Sequence, residues 1–462
     1  MLDLMSRAIE SISDRKVTFA DIRQESRVGT SLVVVNGALR SFNRTNRAGT
    51  VARVLVGECW GQASTTQEVT KDRLGLLLSE ATKMAKTCAQ YSRKDIDLSN
   101  VNSEQKSVWL SVREDPEDVS TEEKIDFVMD LDNGLRIDDR IVNTNSSYQD
   151  GKLLIRLVNT EGARLQWDEL RIRVFVYPVA REGDRMHYDY DVVGGQTGYE
   201  LIRKVDTNEF SAKPAQGALD LLSAEKPPSG KMTIIMDGDL SGIVAHEVCG
   251  HGSEADEVVK ERSFLTGMVG KRVGSDLVTM IDDGTLPGKL GSFPYDSEGT
   301  PASKTFIIED GIFRGYMHTL ETAAIMGMKP TGNGRAQDYN RRVFARMSNT
   351  FFESGDWSAD EIISDTKDGL YVIRPMSGME DVVGGGVQVS CLKGYVIKNG
   401  EKKQLVRGNA LAGKVLDILA TVDAVSKEMD FSEGTCGKGE EDFVSVTSGG
   451  PHMRAELIVG GG

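Results

Sequence analysis

Residues 233–251 of the chain read TIIMDGDLSGIVAHEVCGH. The apolar and β-branched residues from Thr233 to Met236 predict a buried strand. A helix is predicted to begin at Asp239-Leu240-Ser241, and the apolar pair Ile243-Val244 continues it. The stretch therefore carries two closely spaced histidines on a helix that directly follows a buried strand.

These histidines, His246 and His251, flank the carboxylate Glu247. Helical zinc motifs space their histidines four residues apart, a rotation of about 40°, whereas five residues give about 140° on an ideal helix. The pair can share a metal only if the helix widens or ends between them, and Gly250 permits either. We expect the helix to widen, because single-turn widenings occur disproportionately at functional sites. Each histidine alone is better explained as an ordinary surface or core residue, but the pairing around Glu247 favours a metal site.

A catalytic zinc site usually has three protein ligands and one open position, so a third ligand must come from elsewhere in the chain. Cys436 lies in the stretch Gly434-Thr435-Cys436-Gly437-Lys438-Gly439, whose glycines let the backbone turn tightly and present a thiolate. Cys249 lies between the histidines, but it is as easily a small buried hydrophobe. From the residues alone, Cys436 is explained equally well as a metal ligand and as a structural residue.

Composition limits the classes of function. The chain has 462 residues, of which 39% are hydrophobic and 27% charged, as in ordinary globular proteins of two or three domains. Its formal net charge is −15 and its basic clusters are as short as Arg341-Arg342, so direct nucleic-acid binding is not expected. A chain without a leader pattern or a window of about 18 apolar residues is expected to be cytoplasmic, with no membrane partner. The 5 cysteines are widely spaced and odd in number, so no disulfide framework is expected.

The cluster Lys226-Pro227-Pro228-Ser229-Gly230 cannot continue a helix, and it predicts the main domain boundary. The fold class expected is α+β. We expect an N-terminal domain at residues 1–225, with helices and a mixed sheet, and a mainly β C-terminal domain at residues 231–462 that carries the metal-site helix.

Periodicity and turn residues predict elements in both halves. Helices are predicted from Leu2 to Ile12, over about Thr70 to Ala89, after a capping box at Ser120–Glu123, between Tyr199 and Ala224, and over Leu411–Met429. Strands are predicted at 17–22, 31–35, 38–41, 50–56, 141–148, 153–159 and 165–179. Tight turns are predicted at Asn36-Gly37, Asp283-Gly284, Asp310-Gly311 and Asn399-Gly400, with mostly short strands after Lys231.

Four separated motifs resemble the TldD/PmbA family, and more specifically its TldD-type metallopeptidase subunit. They are HEVCGHGSEAD at 246–256, TGNGR at 331–335, RMSNT at 346–350 and CGK at 436–438. The resemblance is dense from about Met236 to Lys438 and weaker across the N-terminal half. It implies one zinc ion per chain, held by His246, His251 and Cys436. Glu247 then becomes the general base that takes a proton from water and passes it to the leaving amine.

Further residues are candidates for roles around the metal, and for the first three of them the resemblance is the main support. Arg335, Arg346 and Asn349 are expected to bind a peptide backbone or stabilise an oxyanion. Glu254 and Asp256 are expected either to orient a ligand histidine or to lie at a solvated helix end. Three further histidines, His187, His318 and His452, lack ligand-like neighbours and are expected to be ordinary residues.

The function implied is hydrolysis of unfolded or small peptides inside a chamber that a dimer encloses. The dimer is either a homodimer or a heterodimer with a PmbA-like subunit, a type that lacks the metal motif. One alternative is a non-cleaving subunit that binds peptides or assists assembly. Another is a small-amide hydrolase that uses the same ligands with a different divalent metal.

Overall fold

The computed structural model of the chain describes residues 1–91, 96–98, 101–439 and 441–460. Within these ranges the chain forms one sheet of eight strands between residues 19 and 195 and another of ten strands between residues 230 and 460. Helices accompany the first sheet and strands dominate the second half, so the expected α+β class is confirmed. The change of sheet coincides with the expected boundary, although the division into two domains stays a prediction.

The helices are α1 (Leu2–Glu10), α2 (Lys71–Ala89), α3 (Thr121–Gly134), α4 (Thr207–Ser223), α5 (Gly238–Ala245), α6 (Ala255–Val258), α7 (Leu320–Met326), α8 (Ala359–Asp365) and α9 (Val415–Ala420). The first sheet contains β1 (Phe19–Val35), β2 (Ala38–Val56), β3 (Cys59–Thr65), β4 (Gln105–Val108), β5 (Ile141–Asn159), β6 (Arg164–Glu182), β7 (Arg185–Tyr188) and β8 (Asp191–Gly195). The second begins with β9 (Gly230–Met236), β10 (Met280–Asp283), β11 (Lys304–Glu309) and β12 (Ile312–Phe313). A separate pair, β13 (Gly334–Arg335) and β14 (Phe344–Ala345), follows in the chain. The second sheet is completed by β15 (Asn349–Phe352), β16 (Asp368–Asp381), β17 (Gly386–Lys398), β18 (Glu401–Lys414), β19 (Ala424–Lys438) and β20 (Glu441–Gly460).

In the first sheet, the predicted short strands merge into long hairpins. β1 pairs with β2 from Phe19 opposite Leu55 to Val35 opposite Ala38. The polar residues between the predicted segments stay in the ladder, because backbone hydrogen bonds continue wherever the partner strand is present. Asn36 and Gly37 have φ angles of 52° and 74°, as the tight hairpin requires.

The helices of this half follow their predicted positions with two differences. Ser120 caps α3 by accepting a bond from the Glu123 amide, but the Glu123 carboxylate pairs with Arg203 instead of returning to the cap. The capping box is therefore only half formed. The helical pattern between Tyr199 and Ala224 splits into a 3-10 turn and α4, because Asp206 caps α4 anew.

The second sheet corrects three predictions. Its strands from β16 onward are long, not short. Asp283-Gly284 forms no hairpin, because β10 ends at Asp283 and pairs with β11 only after a long connection. The predicted helix Leu411–Met429 is the end of β18, the short α9 and the start of β19. Its apolar residues are buried from three different elements, which periodicity alone does not distinguish from one helix.

The cysteines also differ from expectation. Cys59 of β3 and Cys88 of α2 form a disulfide, whereas Cys249, Cys391 and Cys436 are buried free thiols. The wide spacing of this pair carries no signal in the sequence. Among the described residues, no helix is long and apolar enough to cross a bilayer.

Candidate metal centre

The helix that carries the first histidine is fixed by its cap and by glycine contacts. α5 begins at Gly238, and the Asp237 carboxylate caps it by accepting a hydrogen bond of 2.9 Å from the Leu240 amide. The predicted start at Asp239 is thus one residue late. A Cβ atom on Gly242 would lie 2.6 Å from the amide nitrogen of Gly449 in β20. Glycine here lets α5 lie directly on the backbone of that strand.

Beyond α5 the helix widens as expected. Residues His246–Gly250 form a π-helical turn in which the amide of His251 donates to the carbonyl of His246. A 3-10 turn, His251–Ser253, follows. An i to i+5 turn brings residues five apart onto one face, which an ideal α-helix does not. Gly250 has no positive φ angle; a side chain at that position would instead overlap the sulfur of Met347.

The three expected ligands converge. One donor atom from each of His246, His251 and Cys436 lies within 4.8 Å of the others, and Cys436 Sγ is 3.5 Å from His251 Nε2. Tetrahedral zinc, with Zn–S of about 2.3 Å and Zn–N of about 2.0–2.1 Å, would hold sulfur and nitrogen about 3.6 Å apart. His246 Nδ1 is buried without a hydrogen-bond partner among the described residues. The spacing and donor chemistry fit a zinc ion.

Electrostatics favour the thiolate of Cys436. Burial opposes its charged form, yet the neighbouring His246 and His251 outweigh burial and lower the Cys436 pKa to about 5. The other candidate behaves differently, because burial raises the pKa of Cys249 to about 12. Cys249 is fully buried in the hydrophobic core and lies outside the donor cluster. Of the two cysteines, only Cys436 is placed and charged as a ligand.

Glu254 and Asp256 lie behind the donor cluster. Glu254 is 1% exposed, and one of its carboxylate oxygens lies 3.1 Å from His251 Nδ1. This contact directs the opposite ring nitrogen toward Cys436, the usual arrangement behind a ligand histidine. Asp256 accepts a bond of 2.6 Å from Lys438 instead of contacting a histidine. Lys438 also donates to Glu254 at 2.9 Å, so both carboxylates converge on one ammonium group.

A second carboxylate, which no sequence pattern indicates, lies beside Glu247. Oxygen atoms of Glu247 and Glu380 and a nitrogen of His251 lie within 4.8 Å of one another. Burial raises the pKa of Glu247 to about 7; the nearby His246 acts downward, and a hydrogen bond with Glu380 acts upward. Gly378, two residues before Glu380 on β16, leaves room for Glu247, whose side chain a Cβ atom would overlap. Glu380 is far from Glu247 in the chain, and no local spacing marks it.

The residues expected to bind peptide are mostly buried in the structure. Arg346 is 0% exposed and donates to the carbonyl of Cys436 at 2.5 Å. Asn349, also 0% exposed, donates to the carbonyl of Asp283. Arg335 donates to the carbonyls of Met347 and Ser445. Arg346 therefore supports the backbone of Cys436, Asn349 supports that of Asp283, and neither exposes surface to a peptide.

A buried carboxylate holds these motifs together. Asp282 accepts hydrogen bonds from the Ser348 amide at 2.8 Å, the Ser348 hydroxyl at 2.7 Å, the Thr350 hydroxyl at 2.7 Å and the Asn333 amide at 2.8 Å. Asn333 belongs to the TGNGR motif, and Ser348 and Thr350 belong to RMSNT. The two motifs thus join around Asp282, a residue that no local pattern in the sequence distinguishes.

Next to the donor cluster is a cavity of about 490 Å³. Its lining includes His251, Glu254, Glu257, Glu380 and Lys438. This volume lies within the range of ligand-binding sites. The cavity gives an external molecule a route to the face of His251 beside Glu380.

Two histidines and a cysteine beside a half-buried glutamate, on an α+β scaffold, form a site of the metallohydrolase class. The chain belongs to the PmbA/TldA metallopeptidase family. Models of that family's domain 1, central domain and C-terminal domain match residues 20–85, 114–222 and 229–461, respectively.

Relatives span the whole chain. A metalloprotease of Methanocaldococcus jannaschii is 36% identical over 96% of both chains. A metalloprotease TldD homolog of Haemophilus influenzae is 28% identical, covering 98% of this chain and 94% of its own. A zinc metalloprotease TldD homolog of Saccharolobus solfataricus is 26% identical, covering 99% of this chain and 100% of its own.

Two solved structures share the fold. A candidate modulator of DNA gyrase from Thermotoga maritima superposes with a TM-score of 0.81 at 21% identity, covering 99% of both chains. TldE from Thermococcus kodakarensis superposes with a TM-score of 0.76 at 17% identity, covering 99% of this chain and 98% of its own. At these identities the likeness establishes the architecture alone.

Proposed function

We propose that the chain is a zinc-dependent peptidase that hydrolyses unfolded or small peptides. One zinc ion per chain would be held by His246, His251 and Cys436, with Glu247 as the general base. The observation that carries the proposal is the convergence of these three donors within 4.8 Å, on two separate segments, beside Glu247 on the same widened turn. The zinc metalloprotease name of the Saccharolobus solfataricus relative supports the choice of metal.

The chain's own residues divide the work of hydrolysis. Bound zinc supplies Lewis-acid polarisation of the peptide carbonyl and activation of water. Glu247 accepts the proton of the attacking water at its carboxylate and delivers it to the leaving nitrogen. Glu380 lies next to Glu247, with carboxylate oxygens of the two residues within 4.8 Å of each other, and it keeps the Glu247 side chain beside the histidines. The cavity next to His251 admits the peptide.

The proposal includes the cellular and quaternary setting. We infer a cytoplasmic enzyme whose chamber is closed by a dimer, either a homodimer or a heterodimer with a PmbA-like subunit. Exposed apolar side chains support an interface near the cavity: Met379 and Val383 near the tip of the β16–β17 hairpin are 72% and 66% exposed. Phe443, near the tip of the β19–β20 hairpin, is 67% exposed. Apolar side chains clustered on a surface are typical of contact sites.

The test is cleavage of an unstructured fluorogenic peptide by zinc-loaded protein, with and without a chelator. We expect Glu247→Ala to retain one zinc per chain and to lose activity by about 100-fold or more, because the base is not a ligand. His246→Ala is expected to lose the metal, whereas the matched control His187→Ala, on β7, keeps both metal and activity. Cleavage that continues in the presence of the chelator and in Glu247→Ala would contradict the proposal. Zinc-loaded wild type that binds peptide without cutting it would favour the non-cleaving alternative.

A further inference from the structure

Lys438 is a mostly buried cation to which the proposed mechanism assigns no role. Its side chain is 11% exposed. The ammonium nitrogen lies 2.9 Å from a Glu254 oxygen, 2.6 Å from an Asp256 oxygen and 3.1 Å from the carbonyl of Ala345. A lysine ammonium has three N–H donors and no acceptor, so these three contacts use all of them. Such saturation fixes the side chain in one position.

The contacts of Lys438 connect the two segments that supply the ligands. Lys438 lies two residues after Cys436 on β19. The Glu254 oxygen that accepts from Lys438 is the same oxygen that contacts His251 Nδ1. Cys436 and His251 are 185 residues apart in the chain. Lys438 therefore joins the strand of the cysteine to the segment of the histidines through a single carboxylate oxygen.

We propose that Lys438 is a positioning residue of the metal centre: it locks the Cys436 strand to the histidine segment and fixes the ring of His251 through Glu254. The inference rests on the proposed metal site and deepens it. It concerns how the donors are arranged before a metal arrives. In this role Lys438 acts through Glu254 and not by contact with the metal.

Removing the ammonium group would leave two buried carboxylates facing each other. Glu254 and Asp256 each already have one buried oxygen without a partner. Without a cation between them, like charges in a dry environment repel, and Glu254 turns away from His251. Arg346 still holds the carbonyl of Cys436 and β19 stays paired with β20, so the cysteine strand keeps most of its support. We therefore expect a weakened metal site with altered geometry, not its complete loss.

The experiment compares wild type with Lys438→Met, which keeps length and removes charge, and Lys438→Arg, which keeps charge. Zn²⁺ affinity is measured by competition with a chromophoric chelator. The absorption spectrum of the Co²⁺-substituted protein reports ligand geometry. Loss of a residue behind a metal ligand typically costs about 10–100-fold in affinity, and we expect Lys438→Met to fall in that range with a shifted Co²⁺ spectrum. Lys438→Arg should restore the wild-type spectrum and most of the affinity.

The matched control is Lys124→Met in α3. Lys124 is also buried, at 3% exposed, and pairs with Asp150 at 2.6 Å far from the donor cluster. We expect this variant to lower the unfolding temperature and leave Zn²⁺ affinity and the Co²⁺ spectrum unchanged. It separates the general cost of losing a buried ion pair from an effect on the centre.

The outcomes distinguish the two proposals. Wild type that binds no Zn²⁺ would overturn the metal centre itself. Wild type that binds Zn²⁺, with unchanged affinity and Co²⁺ spectrum in Lys438→Met, would overturn the role of Lys438 and leave the metal centre standing. If circular dichroism shows Lys438→Met to be unfolded, Lys438→Gln takes its place, since its amide has two N–H donors in place of three and carries no positive charge. Affinity and spectrum equal to wild type in Lys438→Gln would then refute the inference.

Discussion

Replacing Asp282 tests whether the two buried motifs support the centre. Asp282 is 1% exposed and accepts four hydrogen bonds, two from Ser348 and one each from Thr350 and Asn333. In Asp282→Ala the two hydroxyl groups can rotate toward other acceptors. The Ser348 backbone amide and the Asn333 side-chain amide cannot, and each buried donor left unpaired costs about 1–3 kcal/mol. We expect a loss of about 2–6 kcal/mol in the free energy of unfolding.

The assay is urea denaturation of the metal-free protein, followed by tryptophan fluorescence and circular dichroism. Asp282→Asn keeps the shape of the side chain but replaces one acceptor oxygen by an amide group that faces other donors. Its free energy of unfolding should fall by less than that of Asp282→Ala. The control is Asp276→Asn, because the Asp276 side chain is 81% exposed and pairs with Arg272 on the surface. Such a change is expected to stay within about 0.5 kcal/mol of wild type. If Asp282→Ala unfolds within about 1 kcal/mol of wild type, the assignment of Asp282 as a structural centre fails.

Three further predictions concern the metal, the base and the helix cap. Cys436→Ala should reduce bound zinc from one ion per chain to none by elemental analysis, while Cys249→Ala keeps the ion; zinc retained in Cys436→Ala would remove that ligand. Glu380→Ala should lower kcat by about 10-fold without loss of zinc, because the Glu247 carboxylate is no longer held in place. Glu380→Gln should recover most of the lost kcat. Equal kcat in both variants and wild type would contradict this role. Burial and the nearby Asp239 raise the pKa of Asp237 to about 7 in the fold, so its contribution to stability is present below about pH 4 and lost as the pH rises through 7. Asp237→Asn keeps the cap without the charge and should therefore unfold at a higher temperature than wild type at pH 8 but not at pH 4, and a difference independent of pH would refute the argument.

The local half of the candidate site was predictable from the sequence. Five-residue spacing between His246 and His251 is incompatible with a shared face on an α-helix, so a shared metal required the helix to widen or end between them, and the structure contains a widened turn. Gly250 was correctly identified as the residue that permits it. The physical reason was only partly foreseen, because the glycine makes room for Met347 instead of adopting a special backbone angle.

The distant half was not predictable from residue chemistry. Glu380 and Asp282 act through contacts made by the tertiary fold, and no spacing along the chain records them. The motif indicated that Arg346 is important but not which group its side chain contacts. Its guanidinium group was expected to bind a peptide or stabilise an oxyanion, and instead it donates to the carbonyl of Cys436. The wrong prediction of a helix over Leu411–Met429 has the same cause. Apolar residues of three different elements are buried in one core, and their spacing along the chain resembles helical periodicity.

One strand explains how ligands so far apart in the chain are held together. β20 pairs with β19, placing Val444 opposite Cys436 and Gly449 opposite Phe431. The same Gly449 receives α5, whose Gly242 approaches the backbone too closely for any side chain. The helix that leads to the histidines therefore packs on β20. The strand that carries the cysteine is hydrogen-bonded to β20. Because two elements fixed to one rigid strand cannot drift independently, the remaining freedom lies at their far ends, where the widened turn meets the end of β19. Lys438 and Arg346 act at that point, which is why we expect changes in these two residues to alter the geometry of the metal centre more than changes deeper in the sheet.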